Sequence, residues 1–154
     1  MPPAQGGTQN QALGRSRGGF STKIHARTNA EGLPIALLLT PGEAHDSTAF
    51  ADLMAEHDAD PAVMLADRGY DSDAIRNEVR ARGGTPEIPT KKNRLIQHTV
   101  NQVLYVTRNR IERFFNRLKN SRWVPTRYDH TANSFLGFAK LATIKQWIRF
   151  VHAT

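Results

Sequence analysis

The chain has no cysteine, which excludes disulfides and thiolate metal sites. It also lacks any apolar run long enough to span a bilayer, and its start, Met1-Pro-Pro-Ala-Gln-Gly-Gly7, lacks the apolar stretch of a secretion signal. The cytoplasm is the expected location, with no membrane partner. Acids are scarce in one place: residues 91–128 hold ten Lys or Arg and a single acid, Glu112, while the remainder carries eleven basic and thirteen acidic residues. The net charge of +7 is thus confined to one segment, as a basic binding surface for nucleic acid requires.

What is present divides readily. Residues 1–19, rich in Gly, Gln, Ser and Arg and ending in Gly14-Arg-Ser-Arg-Gly-Gly19, offer little to bury and read as a disordered linker. Residues 20–154 read as one domain. The alternation of 20–29, a turn at Ala30-Glu-Gly32 and the apolar run 33–40 predict an antiparallel hairpin. Asp46 or Ser47 is placed to cap a helix reaching about His57. A short buried strand over 62–66 then ends at Asp67, and Asp71 or Ser72 is placed to cap a helix over 73–82 that Gly83-Gly84 stops. A short strand follows at 85–89, where two prolines point to a sheet edge. A basic loop at 91–97 leads to a long helix over 102–120, and a final helix is expected over 133–152. In that last helix Phe135, Phe138, Leu141, Ala142, Ile148 and Val151 recur at helical spacing as a packing face. The order of elements is mixed α/β.

The helix over 102–120 carries most of the information. At about 100° per residue, Tyr105, Arg108, Glu112 and Lys119 share a sector of roughly 60°. Leu104, Ile111, Phe114, Phe115 and Leu118 fill an apolar sector, and Arg110, Arg113 and Arg117 a third. Such a helix buries one side while holding a lone acid against a polyanion. Asp67 and Glu112 are the two acids whose surroundings stand out. Phosphodiester chemistry with two divalent ions needs carboxylates converging on metals about 3.5 to 4 Å apart, and hard oxygen donors favour magnesium or manganese over zinc. Each acid also has a bland reading: Asp67 as a loop or capping residue, Glu112 as an intrahelical partner of Arg108. The six histidines are dispersed without zinc-site spacing and read as structural or solvent-facing, with His45, beside Asp46, kept open. Trp123 and Tyr128, between Arg122 and Arg127, suit either a DNA-facing strip or interhelix packing, and Trp147 reads as core.

Four separated motifs, in order, resemble bacterial insertion-sequence transposases: Leu13-Gly-Arg-Ser-Arg-Gly-Gly-Phe-Ser-Thr-Lys-Ile-His25, Leu39-Thr-Pro-Gly-Glu-Ala-His-Asp-Ser-Thr48, Leu65-Ala-Asp-Arg-Gly-Tyr-Asp71 and Arg108-Asn-Arg-Ile-Glu-Arg-Phe-Phe115. The resemblance is to the branch with an Asp-Asp-Glu triad and a Tyr-x2-Arg-x3-Glu-x6-Lys signature, which Tyr105, Arg108, Glu112 and Lys119 fit without a gap. It implies a ribonuclease H-like mixed sheet flanked by helices. It further implies DNA recombination by metal-dependent cleavage of transposon ends and their joining to target DNA, in a homo-oligomeric synaptic complex at the nucleoid. By motif position Asp67 is the second triad acid and Glu112 the third, both holding Mg2+ or Mn2+. Tyr105, Arg108 and Lys119 would then hold end DNA. Asn93, Arg94 and the face of Arg110, Arg113 and Arg117 would add sequence-independent affinity.

One departure accompanies the match. Family members carry the first aspartate on the opening strand, upstream of the Gly-Arg-Ser-Arg-Gly-Gly region, and this chain has no acid before Glu31. The fold is therefore expected to be incomplete at its N-terminal strand and inactive alone, with an upstream transposase segment supplying the missing acid. The alternative is a non-catalytic DNA-binding fragment that represses transposition or is a relic. Asp46 superficially resembles the missing residue, but its position after the hairpin favours helix capping. Val106 replaces a basic residue common in relatives.

Overall fold

The computed structural model describes residues 14–16, 19–121 and 132–153. Residues 1–13 of the expected linker, and the strip Arg122, Trp123, Arg127 and Tyr128, lie outside the described residues. Two compact units emerge where the sequence pointed to one domain: residues 1–44 with 111–154, and residues 45–110. Each has its own apolar core, and that is the physical reason for the division.

The first unit is built on a hairpin. Strand β2 (Gly19–Thr28) pairs antiparallel with β3 (Pro34–Pro41), with an irregularity between Arg27 and Thr28. The connecting turn forms because Asn29 Oδ1 accepts from the backbone N–H groups of Glu31 and Leu33, and because Gly32 supplies a φ of 81°. A further strand, β1 (Gly14–Ser16), pairs with the start of β2, so this part of the expected linker is ordered as sheet. Extended backbone can complete its hydrogen bonds along an open strand edge.

Helix α4 (Asn109–Lys119) and the last helix, α5 (Ala132–Ala153), close this unit. Leu37 of β3, Phe114 and Leu118 of α4, and Phe135 and Ala139 of α5 are buried together, with Ile24, Ile111, Phe115 and Leu136 packed around them. Trp147 is half-buried rather than core, and its indole N–H donates to the Pro34 carbonyl at 2.8 Å. The face proposed for the last helix needs correction. Phe135 is buried and Ala142 half-buried, but Phe138, Leu141, Ile148 and Val151 are exposed, Leu141 and Val151 by 61% and 62%. α5 is apolar on both sides, so periodicity alone could not choose between them.

The second unit begins with a 3-10 turn (Asp46–Ala49) leading into α1 (Phe50–Ala55). Strand β4 (Val63–Leu65) runs parallel to β5 (Thr85–Glu87), joined through α2 (Asp73–Ala81) in a β-α-β crossover. β4 is less buried than its composition suggests: Val63 is exposed, Met64 and Leu65 are half-buried, and Ala66 is buried. Phe50, Met54, Ala66, Ile75, Val79 and Ile88 form this unit's core. Gly83, at φ 83°, ends α2 as an amide donor to the Arg80 carbonyl.

The long helix expected over 102–120 is two helices. α3 (Gln102–Val106) ends at Thr107, whose hydroxyl and amide both donate to the Leu104 carbonyl, and α4 starts afresh at Asn109. A hydroxyl bonding back to a carbonyl of the preceding turn competes with continued helix, and neither Gly nor Pro is needed for the break.

The described residues thus form a mixed α/β fold with one three-stranded antiparallel sheet and one two-stranded parallel sheet. Two substitutions test the packing. In urea denaturation Phe114→Ala is expected to cost about 3–5 kcal/mol, whereas Leu141→Ser, on the exposed side of α5, should change stability by no more than about 0.5 kcal/mol.

Candidate active site

Asp67 follows β4 after Ala66 and opens a short 3-10 turn, Arg68–Tyr70, accepting the Gly69 amide at 2.8 Å through Oδ1. Its carboxylate is exposed and lies at a cleft of about 550 Å³ whose lining includes Asp46, Arg68, Gly69, Gln102 and Tyr105. Two of the residues singled out in the sequence, Asp67 and Tyr105, therefore meet in the second unit. The Arg108 guanidinium lies 5.4 Å from the centroid of the Tyr105 ring, within cation–π range.

Asp46 is the residue whose role the sequence missed. The 3-10 turn it begins has no side-chain cap, so the capping expectation does not hold. Its carboxylate instead lies close to Gly69 of the Asp67 turn. A Cβ added at Gly69 would overlap Asp46 Oδ2 and stand 2.9 Å from Asp67 Oδ1. A side chain there would have to displace the Asp46 carboxylate. Burial, and then the charges of Asp46 and Asp67, push the Tyr70 phenol well above its ordinary value, so it stays protonated beside them.

The turn is held by a buried carboxylate. Asp71 accepts from Arg76 Nη2 at 2.8 Å and Nε at 3.3 Å, from the Lys91 amide at 2.8 Å and from Arg94 Nη1 at 3.0 Å. Arg76, itself buried, also donates to the Ile88 carbonyl at 2.7 Å. Burial alone would raise the Asp71 pKa, but the Lys91 amide, Arg76 and Arg94 together outweigh it and lower it. Asp71 was expected as a helix cap; its side chain is committed here instead, and Ser72, the N-cap of α2, makes no side-chain cap bond. Arg94, expected at DNA, makes a bidentate contact to Asp73 at 2.6 Å in addition to its bond to Asp71. Asn93 beside it is exposed.

A second tether sets Tyr105. The buried Glu87 at the end of β5 accepts the Asn101 amide at 2.7 Å through Oε2, and Asn101 Oδ1 in turn caps α3 by accepting from Val103 and Leu104. The strand end is thereby linked to the helix that carries the ring.

In the first unit, Glu112, Arg113, Arg117 and Lys119 are exposed on α4, with Arg117 Nε donating to Gln146 Oε1 at 3.0 Å. Arg110, in the first turn of α4, is exposed as well. Glu112 and Lys119 keep a common face seven residues apart on α4. Tyr105 lies on α3 and Arg108 at the junction, so the four signature residues do not share one uninterrupted helix. Among the described residues no group of three or more His, Asp or Glu side chains gathers as a metal site, and no helix is long and apolar enough to cross a membrane. The hard oxygens of Asp46 and Asp67 at one cleft suit magnesium, which keeps several waters and takes one or two carboxylates.

Paired carboxylates in a cleft, in a chain with its cations gathered in one segment, are compatible with an enzyme that works on nucleic acid. A family model described as the transposase DDE domain matches residues 2–144. A Brucella ovis protein assigned as transposase for insertion sequence element IS6501 is 34% identical over 131 residues, which are 84% of this chain and 100% of that relative. A Burkholderia cepacia protein assigned likewise for element IS402 is 35% identical over 81 residues, 46% of this chain and 38% of that relative. No solved structure matches the chain. The chain belongs to the DDE transposase family of bacterial insertion sequences, and its function is DNA transposition.

Asp71, with its pKa lowered in the fold, contributes stability that is fully present above the ordinary carboxylate pKa of about 4. That contribution is lost as pH falls through the lowered folded value. Asp71→Asn should therefore flatten the acid limb of the stability curve. It should also cost roughly 3–5 kcal/mol at neutral pH in chemical denaturation, because Arg76 is left buried without its partner. Gly69→Ala should retain the fold, since Gly69 does not need a positive φ. It should move the Asp46 carboxylate, seen as altered Asp46 side-chain resonances in NMR with little change in melting temperature.

Proposed function

We propose that Asp67 and Glu112 are the second and third acids of the transposase triad and that they hold Mg2+ or Mn2+ together with an aspartate supplied by an upstream segment. The observation that supports the Asp67 part of this reading is the cleft in which Asp67 meets the Asp46 carboxylate and the signature tyrosine, while Glu112 is assigned by motif position. When bound, the divalent ions lower the pKa of the attacking hydroxyl and stabilise the leaving oxygen. The chain's own residues do the rest. Tyr105 and Arg108 present a stacked aromatic and cation to the DNA end, and Lys119 contacts a phosphate. Arg110, Arg113, Arg117 and Asn93 add contacts that do not read sequence. Arg94 serves the site from behind, through Asp71 and Asp73.

The complete catalytic domain in this proposal is a ribonuclease H-like sheet. An antiparallel hairpin and a parallel β-α-β pair are the parts such a sheet retains when its opening strand is set aside, and both are present. Alone, the chain should bind DNA with little or no strand transfer. Transposase subunits would assemble as a homo-oligomer on paired ends.

A second reading is a DNA-binding repressor of transposition, which would use the exposed basic residues of α4 without the acids. Glu112→Gln separates the two. In an in-frame fusion with an upstream Asp-bearing strand, and with Mg2+ and end DNA present, the unchanged fusion should cleave and join ends. The Gln variant should lose both steps while binding DNA equally or more tightly in a mobility-shift assay. A fusion with no cleavage under any divalent metal would leave the repressor reading standing. Removing Arg110, Arg113 or Arg117 should weaken binding alike on all sequences, each loss reducing the slope of log K against log salt by about 0.9 on duplex DNA.

A further inference from the structure

The loop between β5 and α3 is closed on itself. The Thr90 hydroxyl donates to the His98 carbonyl at 3.2 Å and accepts the His98 amide at 2.7 Å. Within it the Arg94 amide donates to the Lys91 carbonyl at 3.1 Å, and Gln97 Nε2 donates to the carbonyls of Lys91 and Arg94 at 3.3 and 2.6 Å. Arg94 anchors the loop to Asp71 and Asp73. On this braced loop stand Leu95 and Ile96, 102% and 70% exposed. Leu95 is as open to solvent as a side chain in an extended chain. Lys91 and Lys92 beside them are exposed too, and the sequence holds no acid between Glu87 and Glu112.

A fixed loop that displays two large aliphatic side chains among cations has the chemistry of a wedge for a stacked polyanion. Leu and Ile are among the side chains that enter between base steps, and adjacent lysines hold the phosphates on either side. Bracing matters because a loose loop would lose its conformational freedom on insertion, whereas this one is ordered beforehand. We propose that Leu95 and Ile96 insert between base pairs of duplex DNA, unstacking one step and kinking the helix where the enzyme sits. This deepens the DNA-contact reading above and rests on it. Flexible pyrimidine–purine steps are the expected points of entry, because they unstack most readily.

The test uses the full chain and a short mixed-sequence duplex with 2-aminopurine placed at a TA step, a base analogue that brightens on unstacking. The unchanged chain should bind and brighten the probe. The double variant Leu95→Ala, Ile96→Ala should lose the brightening and keep both its circular dichroism and its salt slope, since the phosphate contacts remain. Leu95→Met with Ile96 unchanged should brighten as the parent does. Binding without brightening by the unchanged chain, or equal brightening by the double Ala variant, overturns the wedge and leaves the DNA reading intact. A chain that does not bind duplex DNA at low salt overturns both. Self-association seen by sedimentation in the parent and absent in the double variant would also overturn the wedge, by making the tip a protein interface.

Discussion

The arrangement of the second unit depends on one buried negative charge. A carboxylate removed from water is costly unless its lone pairs are filled by good donors, and Asp71 is supplied by a guanidinium from α2, an amide from the loop after β5 and a second guanidinium from the same loop. Because those donors come from separate stretches of chain, satisfying the charge fixes all of them against the turn that bears Asp67. The acid of the cleft is exposed and able to bind; the acid four residues later is hidden and holds it in place. Arg76 adds the Ile88 carbonyl to the same knot, so the end of the parallel strand pair is included.

This separation of roles explains why neighbouring residues of one sequence motif have different fates. Asp67, Arg68 and Gly69 line the cleft, Tyr70 stays protonated beside two carboxylates, and Asp71 turns inward. The size of Gly69 matters rather than its backbone freedom, since two carboxylates crowd the place where a side chain would stand. The basic loop divides in the same way. Lys91, Lys92 and Asn93 face solvent, while Arg94 is turned back onto acids of its own unit. A count of positive charge alone overstates what such a loop offers to DNA.

Much of this was legible in the residues. The hairpin followed from an alternating run, a turn at Ala30-Glu-Gly32 and an apolar run, and its strands fall within a residue or so of the expected bounds. Gly83 ended α2 where expected, because its left-handed φ is rarely open to other residues. Asp67 and Tyr105, selected separately in the sequence, both line one cleft. Other features were hidden for definite reasons. Two of the donors to Asp71, Lys91 and Arg94, lie twenty and more residues downstream, a separation that local pattern does not record. Asp46 sits just ahead of a helical pattern, where an acid ordinarily reads as a cap. The break at Thr107 arises from a hydroxyl back-bond in a stretch of good helix formers. The outer face of α5 carries as many large apolar residues as its inner one, so its orientation is a tertiary outcome.

The loop from Thr90 to His98 is fastened at its base by a hydroxyl that both gives and receives, and just beyond it Glu87 secures the start of α3. None of these bonds uses the side chain of Leu95 or Ile96. On the proposed reading, the two tip residues can be exchanged to change the fit to the double helix while the fastenings beneath them stay as they are.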